Sequence, residues 1–133
     1  MFHLIRNSEL EVTLDVSGVN DHLPSVAFNI KMAWNMPFQK AKIEILECWF
    51  ECASLDVFER DIKTLIDLDA GTVTLSDLSN NPVFTFSKSG ADLTTCIFAR
   101  DTAELGKMSF SAKGYSAELS EMVLVLGEFE KWW

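Results

Sequence analysis

Cys52-Ala53-Ser54-Leu55-Asp56-Val57-Phe58-Glu59-Arg60-Asp61-Ile62-Lys63-Thr64-Leu65-Ile66-Asp67-Leu68-Asp69-Ala70-Gly71 is the segment on which the fold turns. Its apolar residues Leu55, Phe58, Ile62, Leu65 and Ile66 fall on one stripe of a helix. The chain before it, and most of the chain after it, alternates with period two. The pattern therefore predicts one helix laid across an antiparallel sheet. Ser54 is placed to serve as N-cap, and Gly71 to take the left-handed conformation that closes the last turn.

On the N-terminal side, Leu10 to Val16 alternates strictly, with apolar residues on the even positions, and reads as a half-buried strand. Ser17 to Pro24 is a loop by its Gly, Asn, Asp and Pro content. Val26, Phe28, Ile30, Met32 and Trp34 then share one face of a second strand, and Asn35 to Phe38 connects it to a third over Ala41–Glu51. Parity changes within that third strand. Ile43 and Ile45 are odd, whereas Leu46, Cys48 and Phe50 are even, which predicts a β-bulge near Ile45–Leu46 and places Trp49 on the outer or flanking face.

Beyond the helix, Thr72–Leu75 and Val83–Phe86 read as strands around the turn Ser79-Asn80-Asn81-Pro82. Leu93–Arg100 comes after Gly90, and Met108, Phe110 and Ala112 mark a further strand after Asp101–Gly106. In the tail, Leu119, Met122, Val123, Leu126 and Phe129 fit a helical stripe, although Met122–Leu126 alone also fits a buried strand. Ser120 as N-cap with Glu121 in the first turn selects the helix. The expected fold is a single α+β domain over residues 1–133. It is a strongly curved antiparallel sheet of about six to eight strands, covered by the central helix and a C-terminal helix.

The chain has 133 residues, 48% of them hydrophobic, with 10 Phe and 4 Trp, which is enough for a real core. Eleven basic against twenty acidic residues leave a net charge of −9. That field repels nucleic acid, whose binding depends on Lys and Arg neutralising phosphates, and it suits a basic protein partner. No stretch is apolar for long enough to span a membrane, and Met1–Arg6 lacks the regions of a signal peptide. Three Cys, an odd number, argue against a disulfide framework, so a reducing, cytoplasmic location is expected.

Chemistry-bearing motifs are scarce. Cys48 and Cys52 share a strand face but stand about 13 Å apart on a regular strand, too far for one zinc, and no CxxC or HxxxH spacing occurs. The expected state of the thiols is buried and inert. The two His, His3 and His22, fall in or near edge and loop regions. No GxSxG, GxxxxGK[ST] or GxGxxG is present. Carboxylate pairs (Glu47 with Glu51, Asp67 with Asp69, Glu128 with Glu130) are frequent enough to arise by chance among twenty acids. Trp132-Trp133 could anchor a partner or pack a terminal helix on the sheet. No catalytic residue, metal or cofactor is expected.

Read in order, the placements resemble the small bacterial immunity proteins of the WapI type, which neutralise toxic C-terminal domains of polymorphic secreted toxins. The resemblance runs from about Val26 to Trp133. It takes in the strand ending near Trp34, Pro37-Phe38, the strand into Cys52 and the helix stripe Leu55, Phe58, Ile62, Leu65 and Ile66. It continues through Gly71–Leu75, Phe84–Phe86, the turn at Gly90, and Met108–Phe110 leading through Tyr115 and Leu119 to the terminal amphipathic segment. The resemblance implies a non-enzymatic inhibitor of a cognate toxin domain, with a basic nuclease as the expected target. The expected contact set is Glu47, Glu51, Asp56, Glu59, Asp61, Asp67 and Asp69. The rival readings are a small-ligand binder using the interior of a curved sheet, signalled by a deep apolar cavity, and a structural or assembly domain, signalled by an exposed sheet edge.

Overall fold

The apolar stripe forms helix α1 over Cys52–Ile66, with Cys52, Leu55, Phe58, Ile62 and Leu65 buried and Ile66 partly so. The computed structural model describes residues 1–101, 103, 105–129 and 131. Before α1 come β1 (Phe2–Arg6), β2 (Leu10–Asn20), β3 (Ser25–Asn35) and β4 (Lys40–Glu51). After it come β5 (Ala70–Ser76), β6 (Pro82–Ser89), β7 (Asp92–Arg100), β8 (Lys107–Tyr115) and α2 (Glu118–Glu128). The α+β class and seven of the eight strands are as expected, although β2 runs on to Asn20 through part of the expected Ser17–Pro24 loop; β1 is additional, and the tail is a helix.

The expected single curved sheet is instead two. Among the described residues, β1-β2-β3-β4 form one four-stranded antiparallel meander and β5-β6-β7-β8 a second. The helix causes the division. It carries the chain away from β4 and returns it as β5, so the second meander starts a new sheet. One continuous core joins the two sheets and both helices. Phe58 of α1 lies 5.9 Å from Phe86 of β6, and Trp34 of β3 lies 5.4 Å from Phe110 of β8. Phe129, just past α2, packs on Phe28 and Phe2.

Local signals are less faithful than periods. α1 begins two residues before Ser54, with Glu51 at the N-cap and no side-chain capping bond, so Ser54 does not cap it. Gly71 lies within β5 rather than closing the helix. A Cβ there would come within 2.9 Å of Leu65 Cδ1, so close packing rather than left-handed backbone selects glycine. α2 begins with Glu118, placing Ser120 inside its first turn. β1 shows no period in the sequence because its adjacent Leu4 and Ile5 are both buried across a register irregularity, which erases any alternation.

The bulge in β4 is real but sits one residue later than expected. Ile45 pairs with Ile30 and Cys48 with Phe28, so Leu46 and Glu47 together oppose Asn29. Leu46 consequently turns outward, 67% exposed, instead of joining Cys48 and Phe50 in the core. Trp49 lies on the outer face, where its ring covers Gly18 across Ala27.

Candidate functional site

The expected contact residues belong to two local structures, the β4 bulge and α1. Glu47 adopts φ 50, a left-handed conformation costly for a residue with a Cβ. Its N–H donates to Asn29 Oδ1 at 3.0 Å, which supports the bulge from the neighbouring strand. Glu51 is extended at the head of α1.

One turn into the helix, Asp56 and Glu59 converge on Lys131. The ammonium stands 3.2 Å from Asp56 Oδ1 and 2.7 Å from Glu59 Oε2. The hydrogen bond to Glu59 is the largest of several effects that raise the Lys131 pKa; desolvation opposes it and Asp56 adds to it. This pairing cuts the net charge that Asp56 and Glu59 present. Asp61 points to the other flank of the helix, 3.9 Å from Arg60 Nε.

Asp67 and Asp69 occupy the opposite end. Asp67 is the C-cap, and its N–H donates to Thr64 O at 3.2 Å. A carboxylate here adds to the negative end of the helix dipole rather than offsetting it. One cation answers it directly: Lys88, on the inner face of β6, donates to Leu65 O at 3.2 Å and Ile66 O at 2.8 Å. The Asp69 carbonyl accepts from Gly90 N–H at 2.8 Å, docking this acidic turn on the β6–β7 hairpin. Leu68 between the two acids is 47% exposed.

The seven residues therefore do not form one patch. Asp56 and Glu59 are brought together around Lys131. Asp67 and Asp69 stand at the far end of a 15-residue helix, about 22 Å long. Sequence reasoning missed both organising lysines. Lys131 lies 72 residues from Glu59, beyond the reach of any local pattern. Lys88 carried a usable signal, since it falls on the inward parity of β6 set by Phe84 and Phe86. Trp132-Trp133, read above as a partner anchor or a packing group, and Glu130 of the Glu128–Glu130 pair lie outside the described residues.

Other chemistry finds little footing. Cys48 is buried, and burial, with the nearby Asp77 charge adding, pushes its thiol up to about 12. Cys52 is raised as well, by burial first and then by Asp56. Neither is poised as a nucleophilic thiolate at neutral pH. Among the described residues, no three His, Cys, Asp or Glu side chains converge as metal ligands. The largely apolar cavity between the sheets and the helices, lined by Leu14, Phe28, Leu55, Phe58 and Leu75 with Glu59 and Lys131 also on its wall, measures about 20 Å³. That is room for about one water rather than for a ligand. No described helix is long and apolar enough to cross a membrane. No family model matches this chain, and comparisons with curated proteins and with solved structures likewise find no match.

Proposed function

We propose that this chain is a cytoplasmic, non-enzymatic binding module, an immunity protein of the WapI type that occludes the active cleft of a basic toxin domain. The observation that carries the reading is where the charge resides. Among the described residues the buried polar side chains are Ser25 and Thr95, so every described carboxylate reaches solvent and contributes to an outward negative field. Such a field steers a cationic partner and accelerates encounter.

Within the contact set, Asp67 and Asp69 are the stronger determinants. They add to the helix C-terminal dipole, and Leu68 between them offers an apolar anchor of the kind that hot spots use. Asp56 and Glu59 act more weakly because Lys131 already engages them. The filled interior favours surface recognition over the alternative of a ligand held inside the core.

The test is co-expression with the toxin domain encoded beside the gene, comparing wild type with Asp67→Asn/Asp69→Asn and with Asp56→Asn/Glu59→Gln. The expected result is loss of protection from the first pair and near-normal protection from the second. A neighbouring gene that encodes no toxin, or full protection by a folded variant neutralised at all seven positions, would overturn the reading.

A further inference from the structure

Two four-stranded meanders leave four sheet edges, and three of them are protected. β1 is five residues long, has an irregular register, and has α2 packed beside it. β5 is flanked by α1. β4 carries the Leu46–Glu47 bulge and three glutamates, and its Trp49 carbonyl is already bonded by Leu78 N–H at 2.9 Å. These are the ordinary devices that keep a sheet edge from pairing with another chain. β8 has few of them. It runs nine residues in unbroken register with β7, hydrogen-bonds no other strand among the described residues, and is uncharged from Met108 to Ala112. Its lysines, Lys107 and Lys113, stand near the two ends, and Met108 and Tyr115 are 50% and 73% exposed.

From this geometry we infer that β8 pairs antiparallel with β8 of a second copy, about a two-fold axis at Ser111, making one continuous eight-stranded sheet. Residue chemistry selects that register. An axis at Phe110 would set Lys107 directly against Lys113 of the second copy, and like charges directly opposite destabilise a pair. An axis at Ser111 instead sets Lys107 against the second copy's Tyr115, Lys113 against its Ser109, and Phe110 against its Ala112. Tyr115 pairs with Asp92 within its own sheet, and its N–H bonds Glu118 Oε1. The Lys107 end of each β8 therefore meets an end of the other that carries Asp92 and Glu118.

The wider outer face is equally free of repulsion. The cross-strand row Thr72-Ser87-Thr94-Lys113 and the row Thr74-Thr85-Cys96-Ser111 hold no carboxylate. Two chains of net charge −9 can approach along this edge without setting acid against acid. The inference does not depend on the toxin-binding reading, because none of the groups it sets at the dimer edge belongs to the proposed toxin-contact set.

Sedimentation equilibrium from low to high micromolar protein should show a reversible monomer–dimer equilibrium. Amide exchange should slow in β8 as concentration rises while β4 stays unchanged. Lys107→Glu puts a carboxylate in line with the second copy's Asp92 and should weaken the dimer at least about tenfold, a loss of about 1.4 kcal/mol. Adding Asp92→Lys should restore most of that loss. Both side chains are exposed, and unchanged thermal melting of the monomeric variant shows that folding is intact. A protein monomeric throughout, a dimer whose β8 amides exchange as in the monomer, or a dimer indifferent to Lys107→Glu would overturn the proposal.

Discussion

Phe58 is the side chain on which the two halves of the molecule close. It is buried on α1, packs on Phe86 of the second sheet, and lines the small cavity with Leu14 and Phe28 of the first. Truncating Phe58 to Ala should cost about 3–5 kcal/mol, from lost transfer energy plus the enlarged void. Lys63→Ala, on the exposed face, should stay within about 0.5 kcal/mol. Urea midpoints check both, and a costly Lys63 would show the helix phase to be wrong. A second residue-scale case is Gly18, where an added Cβ would sit 3.1 Å from Trp49 Cη2. Gly18→Ala should therefore destabilise by about 1–2 kcal/mol by crowding the ring, which must shift to make room. In a Trp49→Ala background the same change should become neutral or favourable, since alanine restricts the unfolded chain more than glycine does. Denaturation of the four proteins of that cycle measures the sign change. Phe58 was legible from sequence because a periodic stripe names its own face. Gly18 was not, because its partner lies two strands away.

Elements show the same division. The α1 stripe, the β2 and β3 alternation and the β4 parity switch could all be read, because burial on one face imposes a period on the chain. Helix ends could not, because tertiary groups substitute for local caps. The α1 C-terminus is closed by Lys88 from another element, where local pattern points to Gly71. Lys88→Met keeps most of the stem and removes both charged hydrogen bonds. It should cost about 1–3 kcal/mol and accelerate amide exchange in the last turn of α1 before any other segment. Uniform acceleration across α1 and both sheets would mean that Lys88 acts through the core rather than as a cap. Sheet membership was equally illegible: alternation marks strands but not partners, and the break between β4 and β5 results from the path of α1.

At the scale of the whole molecule, the charge that fits a basic partner works against the fold. The twenty acidic residues repel one another, and Asp67 adds a carboxylate to the negative end of a helix. Of the proposed contacts, composition could supply the residue types, but it could not show that Lys131 engages Asp56 and Glu59 while Asp67 and Asp69 stand apart at the far end of α1. The separation yields a prediction in which stability and binding move in opposite directions. Asp67→Asn/Asp69→Asn should leave stability unchanged or raise it by about 0.3–1 kcal/mol, because an unfavourable dipole contact is removed. Asp56→Asn/Glu59→Gln should lower it slightly, by up to about 1 kcal/mol, because Lys131 loses its partners. Against the proposed basic toxin domain, the Asp67/Asp69 variant should associate more slowly, and the wild-type advantage should fade as salt shortens the screening length below about 8 Å. Thermal melts of both variants, together with stopped-flow association across a salt series, separate the two effects. A stability loss in the Asp67/Asp69 variant would show these carboxylates to be structural, and salt-independent association would remove steering from the mechanism.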